Sequence, residues 1–364
     1  MADTPLRALV VGTGFGCRIQ APALIGAGFE VAGLVGTDPE RTAERARLAG
    51  VARGFTDLET AIAQTGADLV VISTTPHTHA RLSIAALEAG CHVLCEKPFA
   101  RDAGEARAML AAAEKAGKVH MIGHEFRFDP LRATFARAIA DGMIGTPQFA
   151  SIITLIPQIP FSEHEMPAWW FDPVEGGGWL GAMGSHVFDQ LRLWLGEFEA
   201  VSASLSTLTA TRGPVDDSFT VHFRTRGGAQ GVIQSSAGTF GPMLDVARVS
   251  GSQGTLWSEG GAVHCATREG MGPLAAPAEY ALPEPPAVGG DPRFDTDRWR
   301  TLVSVELAPY TALCLSLKAA ILGEPAPSPL APASFADGVA CMEIMDAIRA
   351  SAADGGRLVE VGTV

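Results

Sequence analysis

A chain of 364 residues is too long for one ordinary hydrophobic core, so two domains are expected. With 27 basic residues against 40 acidic ones, the formal charge is -13, which repels nucleic acid and anionic membranes at long range. Hydrophobic residues make up 47% and mean hydropathy is +0.19, which suits a packed globular protein rather than a membrane partner. No apolar run reads as long enough to cross a bilayer. Met1-Ala2-Asp3-Thr4-Pro5 lacks the basic and apolar regions of a signal peptide, so a cytoplasmic location is expected. The cysteines (Cys17, Cys91, Cys95, Cys265, Cys314, Cys341) are scattered in apolar surroundings, and none forms Cys-x-x-Cys. Buried reduced thiols are expected, not disulfides or zinc.

The first third alternates strand and helix patterns. Apolar strand candidates are 8–11, 31–35, 69–72, 92–95 and 119–122. Helical stretches fall at 20–27, 39–49, 58–65, 78–89 and 103–116. Continuous apolar strands flanked by amphipathic helices predict a doubly wound parallel α/β sheet covered on both faces. The pattern changes after Arg127. A helix at 130–141 leads into longer strand-like runs at 148–156, 200–209, 218–224, 229–235, 243–250 and 255–259. Turns such as Arg226-Gly227-Gly228 predict a large, mostly antiparallel open sheet, so the second domain is α+β. Residues 270–292 read as a long loop, followed by helices near 297–322 and 334–353. The expected division is 1–126, a dinucleotide-binding domain, and 127–364, a substrate-binding and oligomerisation domain.

Val10-Val11 runs into Gly12-Thr13-Gly14-Phe15-Gly16-Cys17 and then a helix. The first Gly allows a tight turn, the second lets backbone approach a pyrophosphate, and the helix N-terminus offers free N–H groups. Gly12, Gly14, Phe15 and Gly16 are therefore candidate cofactor contacts. The third glycine of G-x-G-x-x-G would fall at Cys17, a residue small enough to replace it in helix–strand packing. After the second strand the sequence reads Val35-Gly36-Thr37-Asp38-Pro39-Glu40-Arg41. Gly36 stands where an acid would bind an adenosine ribose. Asp38, just before Pro39, is expected to cap the helix. A 2′-phosphate thus meets no repulsion, and Thr37 and Arg41 can bind it. The cofactor is NADP or NAD, with NADP somewhat favoured.

Leu94-Cys95-Glu96-Lys97-Pro98 sits at the carboxyl end of the strand 92–95, where open α/β sheets bind ligands. Glu96 and Lys97 are candidates for the cofactor crevice. A plain salt bridge is the competing role for Lys97. Ser73-Thr74-Thr75-Pro76-His77-Thr78-His79 follows the preceding strand. Thr74, His77 and His79 are candidate cofactor contacts, although exposed loop polarity explains the histidines equally well. A glycine run, Gly176-Gly177-Gly178, precedes Ser185-His186-Val187-Phe188-Asp189. His186 and Asp189 share a helical face. Arg127 and Trp170 are further substrate-binding candidates. Arg127 has domain bridging as its alternative, and Trp170 a core or dimer role. Glu163, His164 and Glu165 lack ligand spacing, so no metal is expected.

The Gly12-x-Gly14 turn, the loop from Thr74 to His79, the stretch from Gly90 to Pro98 and that from Gly176 to Asp189, in this order and spacing, resemble the Gfo/Idh/MocA oxidoreductases, and the resemblance covers nearly the whole chain. It implies a Rossmann domain followed by a domain whose open sheet makes oligomer contacts, here a homodimer or homotetramer. It implies hydride transfer between NAD(P) and a sugar-like alcohol or carbonyl. Lys97 would contact substrate oxygen and nicotinamide, a cis bond would precede Pro98, and His186 would transfer the proton. Many members carry an aspartate four residues before that histidine; this chain has Ala182. The departure keeps two other functions open: a dinucleotide-binding sensor with little turnover, and a lyase or glycosidase that uses NAD transiently.

Overall fold

The computed structural model describes residues 5–209, 213–288 and 290–362. The chain divides into two compact units. The first comprises the chain through Ala100, Gly104–Asp129 and Ala281–Val339; the second comprises Arg101–Ala103, Pro130–Tyr280 and the chain from Ala340 onward. This differs from the sequence division at 126/127, because residues 281–339 pack with the dinucleotide unit. Burial explains the return: Leu307, Tyr310, Leu313 and Leu317 lie in one core with Val10, Leu24 and Leu34.

In the first unit six parallel strands run in the order β3-β2-β1-β4-β5-β6. They are β1 (Arg7–Val11), β2 (Glu30–Val35), β3 (Gly54–Phe55), β4 (Leu69–Ile72), β5 (His92–Cys95) and β6 (His120–Ile122). Their central residues are apolar and buried, as a sheet with helices on both faces requires. The helices are α1 (Ala21–Gly26), α2 (Pro39–Leu48), α3 (Leu58–Thr65), α4 (His79–Glu88) and α5 (Ala103–Ala116). Asp38 and Asp57 cap α2 and α3, each accepting a backbone N–H at 2.8 Å. The chain order reverses between β1 and β4, so a crevice for a dinucleotide opens beyond their carboxyl ends. The two-residue strand β3 is too short to show a period, which is why the sequence pattern does not reveal it.

The second unit is built on a nine-stranded sheet in the order β14-β13-β12-β11-β7-β10-β9-β8-β15. Its strands are β7 (Pro147–Leu155), β8 (Phe198–Ser206), β9 (Ser218–Thr225), β10 (Gln230–Ser236), β11 (Leu244–Gly251), β12 (Gly254–Glu259), β13 (Ala262–Thr267), β14 (Gly270–Leu274) and β15 (Val359–Glu360). Only the β7–β10 pair is parallel among the described residues. Strand β14 corrects the reading of 270–292 as one loop: despite its glycines and proline, Gly270–Leu274 pairs with β13 at the sheet edge. An edge strand tolerates Pro273, whose missing N–H can face away from the ladder. Helices α6 (Pro130–Ala140), α7 (Gln158–Ser162) and α8 (Ser185–Leu195) belong to this unit.

Two late helices follow, α9 (Asp297–Leu322) and α10 (Phe335–Ala353). By length and composition α9 is apolar enough to cross a bilayer, which corrects the expectation that no stretch is. Its buried face, including Leu307, Leu313, Cys314 and Leu317, is core of the first unit. All six cysteines are free and buried.

Candidate active site

The loop after β1 shows why its glycines stand where they do. Gly12 has φ +114°, and a Cβ there would lie 2.3 Å from the Ser73 carbonyl oxygen. Gly14 is exposed, and a Cβ would meet nothing within 4 Å, so the loop leaves room for a ligand to approach backbone. A Cβ on Gly16 would lie 2.7 Å from Val10 Cγ1. Helix–strand packing thus falls to Gly16, one residue earlier than the fingerprint places it, and Cys17 is not its substitute. The chain enters α1 through a π-helical turn, Gly16–Gln20. Such turns often occur at functional sites. Phe15 is half-buried, with its ring edge-on to Tyr310. Burial pushes the Cys17 thiol up to about 11, against the pull of Arg293, so it stays protonated.

At the end of β2, Arg41 donates to Thr37 Oγ1 at 3.2 Å, and the exposed Asp38 accepts the Arg41 N–H as the α2 cap. Gly36, the first residue of the turn, carries no carboxylate. Two further arginines converge on the neighbouring loop after β1. Arg45 donates to Thr13 Oγ1, and Arg293 donates to the Thr13 carbonyl at 3.2 Å. Arg293 is held by the buried Asp291. Burial, then repulsion from Arg293 and Arg41, lowers the Arg45 pKa. Two guanidiniums on the glycine-rich loop, with Arg41 on the neighbouring turn, form a site suited to an anion. Arg45 and Arg293 escape sequence reasoning because one lies mid-helix and the other 280 residues away from Thr13.

The 73–79 loop and the turn after β5 are tied together. His79 is fully buried; Nδ1 lies 3.1 Å from the Pro98 carbonyl oxygen and Nε2 lies 3.1 Å from that of Thr74. Burial lowers its pKa. Both nitrogens face backbone, so His79 braces the crevice instead of lining it. His77 is exposed and paired with Thr75 Oγ1, and Thr74 Oγ1 contacts Thr78 Oγ1 at 2.6 Å. The Lys97–Pro98 bond is cis. Lys97 is half-buried at the carboxyl end of β5.

Glu96 points inward beneath Lys97. Its Oε1 accepts from Gln20 Nε2 at 2.9 Å and from the Tyr310 hydroxyl, and its Oε2 accepts from Lys97 N–H at 3.0 Å. Burial raises its pKa, opposed by Lys97 and by the Tyr310 bond. The turn Glu125–Phe128 buries Glu125, and burial, then the charge of Glu306 on α9, raises its pKa well above the ordinary carboxyl value. Glu306 and Tyr310 are four residues apart on α9, so they share a helical face, and both are buried. Arg127 is buried and forms an ion pair with Asp337 at 3.0 Å, with Nη1 near the Ala331 carbonyl oxygen. Its charge serves packing inside the first unit. The Asp337 partner lies in the same unit, so this ion pair does not bridge domains.

In the second unit a π-helical turn, Leu180–Gly184, leads into α8. Gly177 packs on backbone, since a Cβ there would lie 2.3 Å from the Trp169 carbonyl oxygen. Asp216 accepts the Leu180 N–H at 2.6 Å, and burial raises its pKa. His186 and Asp189 are buried on α8, with Arg192 Nη1 3.9 Å from Asp189 Oδ1. Ala182 is also buried. Trp170 is half-buried in an aromatic row, 5.9 Å from Trp169 and 6.0 Å from Trp179 between ring centroids.

Comparison with known proteins places this arrangement. A family model described as an oxidoreductase family with an NAD-binding Rossmann fold matches residues 6–124, and the Gfo/Idh/MocA C-terminal domain matches residues 133–257. Levoglucosan dehydrogenase of Pseudarthrobacter phenanthrenivorans is 33% identical over 56% of this chain and 58% of its own length. The 1,5-anhydro-D-fructose reductase of Ensifer adhaerens is 33% identical over 50% of this chain and 54% of its own length. The chain thus matches less than two thirds of either curated relative. A solved levoglucosan dehydrogenase complexed with NADH and levoglucosan superposes with TM-score 0.81 at 27% identity, covering 99% of this chain and all of that one. The chain belongs to the Gfo/Idh/MocA family of oxidoreductases, and its first unit is the family's NAD-binding Rossmann domain.

Proposed function

We propose that the protein is an NAD(P)-dependent dehydrogenase or reductase acting on a sugar, polyol or related hydroxy or carbonyl compound. The observation that carries this reading is Lys97, held at the carboxyl end of β5 on the Glu96–Tyr310–Gln20 network, beside the switch point of the dinucleotide sheet. The sugar-acting relatives support the substrate class. Bound nicotinamide supplies the hydride acceptor or donor. The Lys97 ammonium stabilises negative charge developing on the substrate oxygen. His186 takes or returns the hydroxyl proton, a task suited to imidazole. Gly12, Gly14 and the N-terminal end of the Gly16–Gln20 turn hold the pyrophosphate.

The arginines at the Thr13 loop, with no acid beside them at position 36, support NADP over NAD. The open nine-stranded sheet exposes Phe149 and Met271, which supports assembly through that face. Six buried thiols suit the reducing cytoplasm. The buried Ala182, where many members carry a carboxylate, favours a sensor as the second reading.

A turnover screen of sugars, polyols and aldehydes with both cofactors tests the proposal. Turnover with one sugar-like compound, abolished in Lys97→Ala and His186→Ala, is the expected result. Cofactor binding without turnover across the panel would give the sensor reading instead, and substrate loss with no net change in reduced nicotinamide would give the lyase reading. Light scattering reports the assembly.

A further inference from the structure

A cavity of about 580 Å³ lies wholly within the second unit, and that size suits a small organic ligand. Three stretches of chain wall it. Residues 101–103 are clamped to α10. The Ala103 N–H donates to Asp346 Oδ2 at 2.8 Å, and Arg349 Nη1 donates to the Arg101 carbonyl at 3.3 Å and to Asp346 Oδ1 at 3.1 Å. The adjoining ends of β8 and β9 form the second wall. Thr207 Oγ1 donates to the Val215 carbonyl at 2.7 Å, and the Asp217 N–H donates to the Ser206 carbonyl at 3.0 Å. Gly176 and Gly177 supply the third side. Just beyond them Gly178 leaves room for Asp216: a Cβ there would lie 2.5 Å from Asp216 Oδ1, while Oδ2 accepts the Leu180 N–H at 2.6 Å. The walls are thus braced before any ligand arrives, which lowers the ordering cost of binding.

The lining selects a chemical class. It carries two guanidiniums, Arg101 and Arg349, and three carboxyl groups, Asp102, Asp216 and Asp346. An anion would meet the carboxyl groups and a cation the guanidiniums, so neither sign of charge is favoured. A wholly apolar ligand would desolvate these charges without replacing their bonds to water. A neutral polyhydroxy compound suits the mixture, because each hydroxyl donates to a carboxylate and accepts from a guanidinium. Leu205 and Val215 offer apolar surface to its C–H faces. Among the described residues Arg349 bonds only through Nη1, so Nε and Nη2 remain for a ligand. We propose that this cavity is a second ligand site, taking a neutral monosaccharide or cyclic polyol apart from the site of hydride transfer. His186, Asp189 and Trp170 belong to the same unit, and none of them lines it. Binding here requires neither the cofactor nor Lys97.

The test is ligand-observed NMR and calorimetric titration of the full-length protein without cofactor, with D-glucose, D-galactose and myo-inositol as probes. At least one of them is expected to bind with a dissociation constant on the order of a millimolar. Arg349→Met removes the remaining donors, and Ser206→Trp fills the cavity without removing a charge. Each is expected to weaken that binding about tenfold or more. The Lys97→Ala/His186→Ala double variant is expected to bind within about twofold of wild type. A cooperative melt reports that the variants fold; if Arg349→Met does not, Ser206→Trp carries the test in its place. No binding by any of the three probes would overturn the site. So would binding that survives both cavity variants and vanishes only in the Lys97/His186 variant, which would assign the sugar to the catalytic centre alone. Inorganic phosphate bound in an Arg349-dependent way, with no sugar bound, would overturn the ligand class. If the sugar binds as expected while no compound turns over, the second site stands and the dehydrogenase reading falls.

Discussion

The Tyr310 hydroxyl donates to Glu96 Oε1, joining the middle of α9 to the residue that precedes Lys97. More than two hundred residues separate the two in the chain, yet both are buried. The bond gives residues 281–339 a direct part in shaping the crevice. Tyr310→Phe removes a donor from a buried carboxylate and leaves the ring packing intact. A loss of about 1–3 kcal/mol is expected in urea denaturation of the first unit. A change below about 0.5 kcal/mol, within the range of ordinary surface substitutions, would mean that Gln20 alone satisfies Glu96.

The buried Glu125 makes stability depend on pH in a defined direction. Burial, then the charge of the Glu306 carboxyl, holds the Glu125 carboxyl well above the ordinary 4.5. Above that pH the unfolded chain releases the proton while the folded chain keeps it. The folded state therefore binds more protons, and stability falls as pH rises, by at most about 1.4 kcal/mol per pH unit for this one proton. Glu125→Gln should flatten that slope in melting curves collected from pH 5 to about pH 8. Parallel wild-type and variant curves would contradict the assignment.

The arginines at the Thr13 loop predict cofactor selectivity. Arg45→Ala and Arg41→Ala should each weaken NADPH binding about tenfold or more in fluorescence titration, with NADH affinity changed far less. Arg293→Ala should behave in the same way if its guanidinium meets the 2′-phosphate. An equal loss for both cofactors would instead assign Arg293 to the pyrophosphate. A clear wild-type preference for NADH would remove the case for NADP altogether.

Gly12→Ala places a Cβ 2.3 Å from a backbone carbonyl oxygen at a φ that L-residues rarely adopt. Backbone cannot yield as a flexible side chain can. A stability cost of about 1–3 kcal/mol and loss of dinucleotide binding are expected. Gly14→Ala meets no protein atom within 4 Å, so it should cost little in the free protein and act mainly on cofactor affinity. Melting temperature and cofactor titration together separate the two variants.

Much of the first unit can be read along the chain because its signals are local. The strand 92–95 and the helix 58–65 carry their own period, and Asp38 caps α2 as its place before Pro39 suggests. Edge elements such as β14 are hidden because a glycine-rich edge strand has no alternating pattern to display. His79 shows a different limit. A histidine beside a crevice looks like a ligand contact in sequence, but its surroundings turn both nitrogens toward backbone carbonyls.

By itself the sequence determined the Rossmann alternation, the Gly12–Gly14 turn, Lys97 at the end of β5 and the family resemblance, since each rests on spacing within a few tens of residues. Tertiary structure alone decided which distant side chains surround those landmarks. Tyr310 reaches the Lys97 turn, Arg293 reaches Thr13, and Arg127 pairs with Asp337. A buried charge must find its partner somewhere in the fold, and chain distance does not constrain where.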